Sequence, residues 1–231
     1  MNIAVILAGG SGTRTNYAVP KQFLTINDIP VIIYTMLNVQ KVQCIDEIIV
    51  MIPHGWNDFV ETYAKQYEIT KLRGVFEGGD SRHMTVLKAI EHLKSCASSE
   101  DKIILLEANR PLIPQQVIEN AIAALDYSPA VLAVDPCYDS MYISENGTMI
   151  NSCVDRSILY KGQMPEAARM GTISEILSKA ALDGIEQTPI ALFLRYGVPV
   201  HHIMGSPLSF KITTSEDMEI LKALITHKER K

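Results

Sequence analysis

A glycine-rich stretch that runs Leu7-Ala8-Gly9-Gly10-Ser11-Gly12-Thr13 is followed by two cations, Arg14 and, seven residues on, Lys21. Ahead of it lies an apolar, β-branched run, Ile3-Ala4-Val5-Ile6. This combination suits a polyphosphate. Glycine backbone lets N–H groups approach phosphate oxygens with no Cβ in the way. Arginine and lysine can then neutralise charge that builds up during transfer. The spacing excludes two common phosphate loops. No GxxxxGK[ST] string begins at Gly9, Gly10 or Gly12, and the dinucleotide pattern GxGxxG fails because position 15 is Thr.

The surrounding elements are those of an α/β protein. Ile3–Ala8, Glu47–Ile52, Lys102–Leu106 and Ala130–Asp135 read as buried strands, and Gly74–Glu77 as a shorter one. Helical spacing predicts helices over Val31–Val39, Trp56–Tyr67, Arg82–Leu93 and Gln115–Leu125. Their alternation argues for a mostly parallel, doubly wound sheet. The rhythm breaks between about Pro136 and Gly162, where Asn146-Gly147 signals a hairpin rather than a crossover. Helices are then expected near Thr172–Leu182, Pro189–Tyr196 and from Ser215, with a strand at Val198–Met204. Glu216 and Asp217 suit the positive end of that last helix.

Composition excludes several classes. The 231 residues fit one domain, and 47% hydrophobic content fills an ample core. A net charge of −5 without a basic stripe gives no footprint for nucleic acid. No run of about 18 apolar residues predicts a membrane span, and no secretory signal is expected at the N-terminus. Cys44, Cys96, Cys137 and Cys153 match no zinc spacing and are read as reduced thiols of a cytoplasmic protein. His201 and His202 are neighbours on an expected strand, so they are read as structural rather than as a chelating pair.

Several strings along the chain resemble one family. LAGGSGTR and PKQF are joined by Gly78-Gly79-x-x-Arg82-x-x-Thr85-Val86, Glu107-Ala108-Asn109-Arg110-Pro111, Asp139-Ser140, Asp155-Arg156, Gln163-Met164-Pro165 and the segment Gly205–Thr213. Together they look like the cytidylyltransferases that load CMP onto small phosphorylated polyols, such as 2-C-methyl-D-erythritol 4-phosphate or ribitol 5-phosphate.

The resemblance implies a Rossmann-like nucleotidyltransferase fold and a reaction in which acceptor phosphate attacks the α-phosphorus of CTP. The acceptor is already an anion, so catalysis needs positioning and charge neutralisation more than a base. By position, Leu7, Ala8, Gly9, Gly10, Ser11, Gly12, Thr13, Gly79, Arg82 and Thr85 would hold the nucleotide. Arg14, Lys21 and Lys211 would act on the phosphates, and Glu107 would bind Mg²⁺. Arg110, Ser140, Arg156, Met164 and Thr188 would face the acceptor. A hairpin arm at about 137–162 would reach a neighbouring subunit, which implies a homodimer.

The chain departs from the family pattern at particular places. Glutamate at 107 replaces an aspartate, moving the carboxylate by about 1.5 Å. In the arm, Asp139-Ser140-Met141-Tyr142 keeps a hydroxyl and lacks a lysine. Met164 replaces a threonine, and Pro189 stands where a carboxylate is expected after Thr188. These changes leave open an atypical acceptor, a phosphonate among them. They also leave open another nucleotide, or a nucleotide-binding protein with weak catalysis.

Overall fold

The computed structural model describes residues 1–9 and 19–229. Gly10, Ser11, Gly12, Thr13 and Arg14 therefore lie outside the described residues.

A seven-stranded sheet organises the chain. β1 (Asn2–Leu7) lies in its interior, paired in parallel with β4 (Glu47–Ile52) and β6 (Lys102–Glu107). These three strands are almost continuously apolar because both faces are covered. Ala4 and Ile6 point toward α1 (Val31–Gln40), α2 (Asn57–Gln66) and α4 (Gln115–Ala124). Ile3, Val5 and Leu7 point the other way, toward α3 (Arg82–Leu93), α5 (Met170–Leu182) and α6 (Pro189–Arg195). Between β1 and β4, β2 (Thr25–Ile26) and β3 (Ile29–Pro30) form a small antiparallel pair.

β5 (Leu72–Glu77) extends one edge of the sheet beyond β4. β7 (Ala130–Pro136) lies on the other side. In the excursion after it, β8 (Met141–Ile143) and β9 (Ser152–Val154) pair as the expected hairpin. Its connection is wider than a two-residue turn. Gly147 takes φ +74°, and the Asn146 side chain accepts from the backbone N–H groups of Thr148 and Met149. The excursion exposes Tyr138, Tyr142, Ile150 and Ile158 to solvent.

The next strand had no signal in the sequence. β10 (Tyr160–Arg169) inserts between β6 and β7 and runs antiparallel to both. It has no β-branched residue, and it contains Gly162 and Pro165, which are depleted in strands. The ladder with β7 shifts register between Gly162 and Glu166, which accommodates the proline. β11 (Val200–Met204) completes the sheet in the order β11-β7-β10-β6-β1-β4-β5. α7 (Ser215–Glu229) docks through Leu221 and Ile225 against Ile26, Val31, Leu112 and Ile212. That contact anchors the segment carrying Lys211.

Among the described residues, no helix is long and apolar enough to cross a membrane.

Candidate active site

The chain leaves β1 toward β4 on one side, while β6 lies on the other. The carboxyl ends of strands at such a reversal open onto a crevice. Here the crevice is a cavity of about 310 Å³. Among the described residues it is lined by Leu7, Ala8 and Gly9 at the end of β1, by Lys21 and Gln22, by Asp80–Arg82 and Thr85, and by Glu107–Asn109 with Lys211.

The glycine positions are set by close approach. A Cβ on Gly9 would lie 2.7 Å from Thr85 Oγ1, and one on Gly79 would lie 2.4 Å from Met84 Cβ and 2.9 Å from its backbone carbon. The Thr85 hydroxyl accepts from the Gly79 N–H at 3.1 Å and donates to the Ser81 carbonyl at 2.9 Å. Ser81 caps α3 by accepting from Met84 N–H at 3.1 Å. Thr85 thus holds the loop that presents Arg82. Gly79→Ala is expected to destabilise the fold by about 1–3 kcal/mol through overpacking; urea unfolding measures it.

Glu107, at the end of β6, is the electrostatic centre. It is 8% exposed. Lys211 Nζ donates to Oε1 at 2.8 Å and Arg110 Nε to Oε2 at 2.8 Å, while Arg82 Nε stands 3.8 Å from Oε1. Burial opposes the charge, but Lys211 and Arg110 outweigh it and hold the carboxyl below the usual range. The result is an ionised carboxylate that gathers three cations beside the β1 loop.

Two backbone clips fix that geometry. Asn109 Nδ2 donates to the Ile212 carbonyl at 3.0 Å, and Ile212 N–H donates to the Asn109 carbonyl at 3.0 Å. Arg110 also donates to the carbonyl of Ser209. The loop after β6 and the segment before α7 are thereby zipped together. Asn109→Ala is expected to cost about 1–3 kcal/mol of stability by leaving the Ile212 carbonyl unpaired, read as a shift in the urea midpoint. Gln22 plays a similar part. It is buried, and its Nε2 donates to the Ala8 carbonyl at 2.6 Å, tying the turn that carries Lys21 to the end of β1. Phe23 stacks on Trp56 at 4.0 Å and 8° behind that turn.

Sequence reasoning assigned no role to Asn109 or Gln22. The only available signal was their position inside the EANR and PKQF strings.

The other expected residues fall outside the cavity. Met164, expected to face the acceptor, is 4% exposed and packs in the apolar core. The Thr188 hydroxyl caps α6 by accepting from Ala191 N–H at 3.4 Å. Ser140 and Arg156 are exposed on the excursion, where Arg156 donates to the Tyr138 carbonyl.

Comparison with known proteins agrees with this architecture. The sequence model of the 2-C-methyl-D-erythritol 4-phosphate cytidylyltransferase family matches residues 2–227. The chain is 32% identical to the enzyme of that name from Syntrophus aciditrophicus, covering 98% of this chain and 97% of the relative. It is 27% identical to the ribitol-5-phosphate cytidylyltransferase of Lacticaseibacillus paracasei, over 99% and 100% of the two chains. Among solved structures, the 4-diphosphocytidyl-2C-methyl-D-erythritol synthase of Anaerococcus prevotii superposes with TM-score 0.83 at 24% identity, covering 98% of this chain and 96% of that one. The 2-C-methyl-D-erythritol 4-phosphate cytidylyltransferase of Thermus thermophilus superposes with TM-score 0.77 at 23% identity, over 97% and 98%. At these identities the structural matches speak for the fold.

Proposed function

We propose that this chain, which belongs to the 2-C-methyl-D-erythritol 4-phosphate cytidylyltransferase family, transfers CMP from CTP to a small phosphorylated polyol and releases pyrophosphate. The acceptor is 2-C-methyl-D-erythritol 4-phosphate or ribitol 5-phosphate, the substrates in its relatives' names. The observation that carries the reading is the Glu107 cluster, which brings Lys211 and Arg82 to the crevice beside Gly9, with Arg110 bonded to the same carboxylate.

An acceptor phosphate oxygen attacks the α-phosphorus of CTP, the new P–O bond forms, and the bond to the pyrophosphate oxygen breaks. Lys211 neutralises the charge that grows on the α-phosphate. Lys21 and Arg14 act on the triphosphate and the leaving group, with Leu7–Thr13 cradling it. Arg82 contacts the nucleotide from the start of α3, while Gly79 and Thr85 shape the loop beneath. Arg110 serves the acceptor side. No histidine or cysteine is required, since every step moves charge among phosphates.

The donor set fits a hard divalent cation. Glu107 is ionised, and Asp80 lines the same crevice. Mg²⁺ is usually held by one or two carboxylates together with substrate phosphates. Glu107 would hold it, and the ion would neutralise triphosphate charge when bound.

The assembly is a homodimer through the excursion at about 137–162, whose Arg156 and Ser140 complete the partner's acceptor site. Exposed Tyr142, Ile150 and Ile158 support this reading, because apolar groups clustered on one projection favour burial against a partner. Deleting residues 141–154 is expected to give a monomer with its CTP affinity intact. Light scattering reads the mass, and an unchanged dimer would refute the arm. The enzyme works in the cytoplasm, where CTP is made.

Nucleotide choice tests the reading. Pyrophosphate release with either acceptor is expected with CTP and at least about tenfold slower with UTP, ATP or GTP. Preference for another nucleotide would overturn it.

A further inference from the structure

Glu166 is a buried carboxylate with no part in the reaction as described. It lies on β10 between Leu105 of β6 and Leu132 of β7 and is 7% exposed. It shares a strand face with Ala168, which packs in the core covered by α3. Its Oε1 accepts from Arg82 Nη2 at 2.9 Å. Its Oε2 is buried without a partner among the described residues.

As a structural element this is a poor choice. A carboxylate taken out of water loses hydration that one hydrogen bond does not replace, and a buried ion pair is weak evidence for stability. Burial pushes the carboxyl of Glu166 upward despite Arg82. An apolar side chain would suit the leucines on either side. The carboxylate is instead aimed at one group, the Arg82 guanidinium.

The other half of that contact explains the aim. Arg82 lines the crevice, and its Nε stands 3.8 Å from Glu107 Oε1, beyond hydrogen-bond distance. Nε and Nη1 are buried without partners among the described residues. Glu166 therefore fixes Nη2 of the guanidinium, and among the described residues two of its three nitrogens stay unused. A planar fork fixed at one corner cannot rotate freely, so less entropy is lost when its remaining donors are engaged.

We propose that Glu166 is a positioning residue that holds the Arg82 guanidinium in place for the triphosphate of the nucleotide. Without it, Arg82 collapses onto Glu107, which already faces Lys211 and Arg110, and nucleotide binding weakens. This rests on the cytidylyltransferase reading, in which Arg82 meets the nucleotide.

The test compares Glu166→Gln, Glu166→Ala and Glu166→Met in full-length protein, each alone and with Arg82→Ala. Glutamine keeps the acceptor oxygen, alanine removes it, and methionine fills the volume without it. CTP affinity is read by titration calorimetry, and KM and kcat by pyrophosphate release. Glu166→Ala and Glu166→Met are expected to weaken CTP binding and raise its KM about tenfold, with acceptor KM unchanged. Glu166→Gln should stay within about threefold of wild type. In the Arg82→Ala background, the Glu166 substitutions should add nothing further.

Equal effects of the three variants, or effects undiminished in the Arg82→Ala background, would overturn the proposal. So would failure of both Glu166→Ala and Glu166→Met to fold, since the residue would then serve the fold alone. A wild-type protein that binds CTP but turns over no acceptor would count against the cytidylyltransferase reading. Normal turnover with wild-type-like Glu166→Ala would count against this inference only.

Discussion

Lys211→Ala is expected to lower kcat for CTP-dependent transfer by about 10²–10³, the cost of removing one preorganised charge donor from a developing oxyanion. The position of Lys211 explains why the loss should fall on kcat. Its ammonium is held at 2.8 Å by Glu107 and its backbone is fixed by the Asn109–Ile212 clip. It is therefore poised before substrate arrives, so little reorganisation accompanies charge transfer. Steady-state rates of pyrophosphate release check this. A rise in KM alone, with kcat retained, would mean that Lys211 only binds ground-state phosphate. Lys211→Arg should recover part of the rate at most, because a planar fork does not reproduce a point charge in the same contact.

The second large effect falls on stability. Glu107→Ala removes the carboxylate that accepts from both Arg110 and Lys211, leaving Arg110 with the Ser209 carbonyl, and Arg82 loses its opposing charge on that side. Breaking a buried pair from one side typically costs about 3–5 kcal/mol, so the urea midpoint should drop sharply and activity with it. Glu107→Gln isolates the charge. The folded-state pKa of Glu107 is lowered, so its contribution is fully present above the unfolded value of about 4.3. That contribution is lost as pH falls through the folded value. The stability gap between wild type and Glu107→Gln should therefore close with acidification in that window. A gap independent of pH would place the origin of the effect in packing.

The parts legible in the sequence were those with a local signature. β1, β4 and β6 are apolar runs, so their burial on both faces could be read directly, and α3 shows its face in Val86, Ile90 and Leu93. β10 could not be read that way. Its inward residues are Gln163, Met164, Glu166 and alanines, and it owes its place at the middle of the sheet to pairing with β6 and β7. Tertiary context there overrides a composition that disfavours strands.

The site divides similarly. Gly9 and Lys21 were visible as a loop with a cation, and Glu107 as an acid at a strand end. The pairs that assemble the crevice were not visible. Glu107 and Lys211 are 104 residues apart, and Arg82 and Glu166 are 84 apart. No local pattern couples residues so separated, and the family resemblance named some of these positions without their partners. Met164 shows the converse. A side chain expected at the acceptor is a core residue, because this part of β10 is buried on both faces between β6 and β7.

The proposed reaction forms a new phosphoanhydride between CMP and a phosphorylated polyol. Phosphorus NMR of wild-type enzyme with CTP, Mg²⁺ and either 2-C-methyl-D-erythritol 4-phosphate or ribitol 5-phosphate tests it most directly. A pair of mutually coupled diphosphate resonances from a CDP-polyol is expected, growing in step with pyrophosphate and about 10²–10³ more slowly in Lys211→Ala. Consumption of CTP without that coupled pair, or an unchanged acceptor phosphate signal with both polyols, would contradict it.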